Sequence, residues 1–231
     1  MSLQAPPELP AGAPGGRVRP RSLDHLARFL GAGGDGTKMV EVDLGIAKAA
    51  AEWLSDPVVN QWLDFGAGRQ LTSATMVLMV SRSPSHFIRA VIDPKGRVAG
   101  IGGLQHTDHP AKSAMLWGVR APLRPPVRSF AVIQTYLYLR EAFHRLRMKS
   151  VYAWVAEPNQ YPIAVLTALG FRLNGRQRAA HRLQSGVVDR LLFDILDREF
   201  LACEASLTSA IADADKTVSA AADATSRRRC G

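Results

Sequence analysis

One run in the middle of the chain constrains the fold more than any other: a strand, a helix, a second strand and a second helix. "AMLWGVR" (114–120) is an apolar segment of strand length. Beyond it, Tyr136, Leu139, Phe143 and Leu146 recur at helical spacing and take a helix to about Arg147. "SVYAWVA" (150–156) is the next strand. Pro162 then fits the first turn of a helix, where its missing N–H costs little, and Gly170 stops that helix. A chain with this order at its centre is a mixed α/β protein.

The flanks extend the pattern. "TKMVEV" alternates like a strand, and residues 44–63 read as helix broken near Asp56-Pro57. "LTSATMVLMVSRS" reads as a further helix despite its β-branched residues. "SHFIRAVIDPKGRVAGIGGL" is a hairpin turning at Asp93-Pro94-Lys95-Gly96, with proline and glycine where a type I turn wants them. Phe171 to Arg182 and Val187 to Leu196 form a second hairpin around Gln184-Ser185-Gly186. The resulting order is β, helices, β-β-β, α, β, α, β-β over about 37–200, with no internal repeat.

The ends differ in composition. Residues 1–36 are rich in Pro, Gly and Ala and read as a disordered or loosely docked extension, with a short helix at 22–30 that begins at Ser22 and docks on the domain or on a partner. Residues 201–231 are Ala-, Ser- and Asp-rich and read as a tail, partly helical or disordered. Phe200, Leu207, Ile211 and Val218 lie roughly on one helical face. A solvated helix and a partner-binding helix both fit that spacing.

The chain carries a formal charge of +9, with much of the excess near Arg17, Arg19 and Arg21, between Lys112 and Lys149, and at Arg227 to Arg229. Such a balance suits nucleic acid, a ribosome, acidic lipid or a phosphorylated ligand, and equally a solvated surface with no dedicated partner. No nucleic-acid-binding motif accompanies it. No apolar run approaches the roughly 20 residues of a membrane span. The N-terminus lacks a basic-then-apolar signal, and the two cysteines, Cys203 and Cys230, suggest neither a disulfide framework nor a zinc site. A cytoplasmic protein, monomer or homodimer, without membrane or metal, is the expectation.

"WVAEPNQYPIAVLTALGF" carries a family resemblance. Asn159, Ile163, Leu166, Leu169, Gly170 and Phe171 fall at the spacings seen after the fifth strand of the GNAT superfamily of N-acetyltransferases, and the following hairpin matches that family's last one. The chain resembles this superfamily from about Thr37 to Phe200. It is most similar to the branch holding ribosomal-protein N-terminal and some amino-sugar acetyltransferases. The resemblance implies a mixed, mostly antiparallel sheet flanked by helices, with flexible tails. It implies acetyl transfer from acetyl-CoA to a primary amine: a protein N-terminus, an amino sugar or a small amine. In such a fold the fourth and fifth strands part, and the pantetheine arm lies between them like an added strand. Val119 and Arg120 are then cofactor contacts. The pyrophosphate meets the N-terminus of the next helix.

That loop is "LRPPVRSFAV", which has no glycine. The family's Arg/Gln-x-x-Gly-x-Gly/Ala pattern falls on Pro126 to Ala131, and only Ala131 conforms. A phosphate needs N–H groups aimed at it rather than glycine as such. Arg128, Ser129, Phe130 and Ala131 keep theirs, Ser129 adds a hydroxyl, and Arg124 and Arg128 add charge. The alternative is a domain that keeps the fold and no longer binds CoA.

Leu166 stands where many relatives place a proton-donating tyrosine; Tyr161 and Ser129 are the nearby substitutes. Asn159 suits a bond to cofactor or water, or a helix cap. Glu157, and His106 with Asp108 and His109 in "QHTDHP", are the candidate bases, against a plain polar turn for the latter. Trp53, Trp62, Trp117 and Trp154 are candidates for an acceptor pocket or for core packing. Arg140, Arg145, Arg147 and Lys149 form a basic helix face.

Overall fold

The computed structural model describes residue 26 and residues 36–66, 68, 70–123 and 130–206. After a short strand β1 (Lys38–Val40), helix α1 (Leu44–Ser55) starts at Asp43, whose carboxylate accepts the N–H of Ile46 at 2.7 Å. It stops at Asp56, held extended before Pro57, and Asp56 then caps α2 (Pro57–Asn60). The break expected at Asp56-Pro57 is therefore one residue ending one helix and starting the next. Ser73 caps α3 (Ala74–Ser81).

Strands β2 (His86–Ile92) and β3 (Val98–Gln105) turn where expected: the Gly96 N–H donates to the Asp93 carbonyl at 2.9 Å, and the Asp93 carboxylate takes the Lys95 and Arg97 N–H groups and the Arg97 guanidinium. Strand β4 (Ser113–Arg120) leads to α4 (Phe130–Arg140), which runs into a π turn (Glu141–Arg145) where Leu146 N–H reaches the Glu141 carbonyl. Strand β5 (Ser150–Ala156), α5 (Gln160–Ala168), β6 (Arg172–Leu183) and β7 (Gly186–Leu196) follow. Gly170, at φ +91°, ends the α5 turn as expected. Residues 197–206 form a last helix, α6.

The seven strands form one sheet in the order β1-β2-β3-β4-β5-β7-β6, antiparallel except between β4 and β5. This is the mixed, mostly antiparallel sheet flanked by helices that the resemblance implies. Alternation along β4 separates two cores: Ala114 and Leu116 pack under α4, α5 and α6, while Trp117 and Val119 pack under α1 and α3. Gly100 is needed where the α4 side meets β3, because a Cβ there would lie 2.7 Å from the ring of Phe130.

Residues outside the 37–200 segment also pack on the core. Leu26 is fully buried in the α4-side core, while the rest of the helix expected at 22–30 lies outside the described residues. The boundary expected at 200 falls inside α6. Phe200 stacks on Phe143 with centroids 5.2 Å apart, and Glu204 accepts the Tyr136 hydroxyl and meets His144, each at 2.7 Å. No helix among the described residues is long and apolar enough to cross a membrane.

Candidate active site

The site comes from the one parallel pair. Strands β4 and β5 match at Ser113↔Ser150, Ala114↔Val151 and Met115↔Tyr152 and then part. Each keeps its outer partner: β4 follows β3 up to Arg120, and β5 follows β7 up to Ala156. From Leu116 and Ala153 onward each strand therefore has one paired edge and one open edge. The Ala121 N–H donates to the Ala99 carbonyl at 2.8 Å, which fixes the pleat. Trp117 and Val119 direct their backbone groups to β3; Leu116, Gly118 and Arg120 direct theirs into the gap. On β5 the Glu157 N–H bonds the Asp189 carbonyl at 3.0 Å, so Trp154 and Ala156 face the gap. A cleft of about 410 Å³ runs through it.

On the α4 side the wall is smooth. Gly118 has no side chain, and a Cβ there would touch Gln134 at 3.6 Å. Ala131 lines the cleft in the first turn of α4, whereas the ring of Phe130 is buried beside Gly100. Arg124, Arg128 and Ser129 lie outside the described residues. Gln134 and Tyr138 are among the lining residues that the sequence did not single out. Gln134 donates to the Tyr138 hydroxyl at 3.2 Å, which donates to the Arg89 carbonyl at 2.8 Å. Burial pushes the Tyr138 phenol well up, so it stays protonated and already committed. The available signal was a glutamine and a tyrosine four apart on the buried face of a helix.

The opposite side is built from distant side chains. Asp64, in the loop after α2, accepts from Arg190 of β7 at 2.5 Å and from the N–H groups of Gly66 and Gly68. Burial works against its charge, yet Arg190 and the two N–H groups hold its carboxyl below the usual range. The Arg190 guanidinium lies 4.0 Å over the Trp154 ring and donates to His181 Nδ1 at 3.3 Å. His181 Nε2 in turn meets the Gln61 carbonyl at 2.6 Å. Only the Nε2–H tautomer fits both neighbours. Burial, with the Arg190 charge beside it, lowers the His181 pKa, and the bond to Gln61 opposes that only in part. Phe65 stands edge-on to Trp117 at 4.9 Å, and the Trp117 indole N–H is buried with no partner among the described residues. Trp62, Trp117 and Trp154 thus line the cleft, whereas Trp53 packs against the α1-side core.

The structure brings some candidate residues together and not others. Val119, Arg120, Asn159 and Tyr161 line the cleft. Asn159 heads α5 without using its side chain as a cap, and Tyr161, 55% exposed, follows in the first turn. Glu157 does not line the cleft; its carboxylate is taken by Arg176, which also meets Asp189 at 3.3 Å. His106 is not at the cleft either. It sits at φ +62° in the β3–β4 turn, beside His86, roughly 15 Å of strand from Gly118. Leu166 is buried and lines the cleft with an apolar side chain, so the usual tyrosine position supplies no acid. Among the described residues no cluster of His, Cys, Asp and Glu could hold a metal.

No protein-family model matches the chain, and no curated protein sequence does. Solved structures do. The chain is similar to a spermidine N-acetyltransferase from Vibrio cholerae in complex with CoA and spermine, at 16% identity and a TM-score of 0.64, over 72% of this chain and 98% of that one. It is similar to mutant forms of the spermidine/spermine N-acetyltransferase from the same organism, at 16% identity and a TM-score of 0.62, over 72% and 97%. It also matches that enzyme in complex with manganese ions, at 16% identity and a TM-score of 0.61, over 72% and 96%. At this identity the likeness speaks for the backbone and not for the chemistry: the chain has the GNAT N-acetyltransferase fold.

Proposed function

We propose that this protein is an acetyl-CoA-dependent N-acetyltransferase acting on a primary amine by direct attack in a ternary complex. The observation that supports the reading is the parting of β4 and β5 after three residue pairs, which leaves unpaired backbone on both sides of a cleft. An extended amide-bearing arm satisfies such edges as a strand would. Gly118 and Arg120 present N–H and carbonyl groups to that arm, and the absent side chain of Gly118 leaves it room. The fit therefore rests on backbone, which the departures in the 124–129 loop do not touch. Arg124, Arg128, Ser129 and the first N–H groups of α4 are the proposed pyrophosphate contacts.

Acetyl-CoA supplies an activated thioester. The amine lone pair attacks its carbonyl carbon, a C–N bond forms, and the C–S bond breaks. Backbone N–H groups of β4 favour charge on the carbonyl oxygen. Asn159, whose side chain has no partner among the described residues, orients the cofactor or a water. The acceptor's ammonium first loses one proton to solvent; after attack, Tyr161 gives a proton to the leaving thiolate and regains the one that the new amide nitrogen sheds. Glu157 and His106 play no part in this scheme, because neither lines the cleft.

Calorimetry with CoA and an acetylation screen over peptide N-termini, amino sugars, polyamines and arylalkylamines test the reading. Absence of binding at millimolar CoA overturns it. Tyr161→Phe should lower kcat about tenfold without changing the CoA Kd. That is less than a general acid often contributes, because a thiol of pKa roughly 8.5 leaves readily near neutrality. The buried leucine at position 166 favours one rival, a GNAT-like module that binds without turnover; CoA binding with no amine acetylated would establish it.

A further inference from the structure

The acceptor side of the cleft differs in chemistry from what a polyamine requires. Its wall is made by Val58, Trp62, Phe65, Trp117 and Trp154, contributed by α2, the loop after it, β4 and β5. We infer that this pocket takes a primary monoamine on an aromatic or apolar skeleton and discriminates against polyamines and amino sugars. The inference rests on the acetyl-transfer reading and narrows its acceptor.

Charge decides against a polycation. Among the described residues Asp64 is the one carboxylate lining the cleft, and its oxygens are already met by Arg190, Gly66 and Gly68. The other carboxylates at this end of the sheet, Glu157 and Asp189, share Arg176. Arg120, which also lines the cleft, adds positive charge and pairs with no carboxylate among the described residues. Each further ammonium of a polyamine would lose water and gain no counter-charge. A monoamine carries one ammonium, which must lose its proton in the reaction anyway.

Hydrogen bonding decides against a sugar. Several hydroxyls entering this wall would need acceptors as well as donors, and its indole rings offer N–H donors alone, that of Trp117 buried with no partner among the described residues. Rings, by contrast, find prepared partners. Phe65 and Trp117 are already set edge to face, an arrangement that a third ring extends. The loop bearing Phe65 is fastened at both ends, by Asp64 to Arg190 and by the Gln70 side chain to the Leu63 carbonyl at 2.9 Å. The pocket is thus formed before an acceptor arrives, and its shape is not left to the ligand.

The test is a comparison of kcat/KM for phenethylamine, tryptamine, spermidine and glucosamine at saturating acetyl-CoA. Phenethylamine or tryptamine should exceed spermidine and glucosamine about tenfold or more. A peptide beginning with phenylalanine is a further arm. If it surpasses the free arylalkylamines the aromatic pocket stands and its source is a protein N-terminus. Phe65→Ala, and separately Trp62→Ala, should lower kcat/KM for the arylalkylamines about tenfold and leave the CoA Kd unchanged, which also reports that the fold is intact. Spermidine or glucosamine equal to or better than the arylalkylamines overturns the inference while leaving acetyl transfer standing. If CoA fails to bind or no amine is acetylated, the acetyl-transfer reading falls instead. Titration of the tryptophan fluorescence then still decides the pocket: phenethylamine binding more tightly than spermidine upholds it, and the reverse overturns it.

Discussion

The two halves of the cleft are built by opposite means. The α4 half is made of backbone: the open edge of β4, a glycine and the first turn of a helix. The half facing α1, α2 and the β6–β7 hairpin is made of side chains that meet across long sequence separations, with Asp64 bonded to Arg190 and His181 to Gln61. A backbone site tolerates changes of residue type so long as the strands part in the same place. A side-chain site changes its ligand with each substitution. The glycine-poor 124–129 loop and the aromatic acceptor wall are thus different kinds of departure. The first leaves β4 as it was, and the second redefines what the pocket admits.

This contrast can be broken at either half. The largest effect is expected at Gly118. A leucine there would occupy the α4 side of the gap and weaken CoA binding roughly hundredfold, equivalent to about 3 kcal/mol of overpacking, without loss of circular dichroism. A normal CoA Kd for Gly118→Leu would mean that the arm does not run along β4. Next comes Arg190→Met, which leaves Asp64 only the Gly66 and Gly68 N–H groups and no opposite charge. Both side chains keep some solvent contact, at 17% and 16% exposure, so the loss of stability should be about 2 kcal/mol, below that of a fully buried pair. Chemical denaturation measures it. The acceptor KM should rise while the CoA Kd stays put; a matching fall in CoA affinity would show that the two halves are not separable.

The smallest effect sharpens the acceptor half through pH. The folded pKa of His181 lies below its unfolded value of roughly 6.5, so the unfolded chain binds the proton more readily. The neutral ring therefore stabilises the fold fully above about pH 6.5, and that contribution is lost as pH falls through the lower folded pKa. Protonation puts a second N–H opposite the Arg190 guanidinium. The unfolding midpoint should drop on acidification below about 6.5, and His181→Asn should flatten that slope. An unchanged slope in the variant would assign the pH dependence to other groups.

Most of the fold was legible in sequence because it depends on local signals. Asp56-Pro57 and Gly170 break and stop helices through bonds reaching a few residues, and Gly96 closes its turn the same way. The π turn at Glu141–Arg145 was not legible, since the apolar spacing of Tyr136 to Leu146 passes through it unbroken. The docking of α6 was missed because an Ala-rich helix looks solvated until Phe200 meets Phe143.

The site was legible in part. Val119, Arg120, Ala131 and Asn159, at positions the resemblance implies, line the cleft, as does Tyr161, the substitute for the missing tyrosine at position 166. Glu157 and His106 were chosen for their chemistry, and chemistry does not report where a side chain points. Arg176 holds one, and the other sits in the β3–β4 turn, outside the cleft lining.

By itself, then, the sequence determined the order of strands and helices, while its resemblance to a known superfamily implied that β4 and β5 are neighbours and where a phosphate would lie. The order follows from periodicity, caps and turns, each a property of a few adjacent residues. Only the tertiary structure decided where β4 and β5 part, that Asp64 is spent on Arg190, and that three tryptophans and a phenylalanine from separate elements share one wall. Such facts belong to pairs of residues dozens of positions apart, brought together by burial of two cores on either face of one sheet. No local signal encodes them.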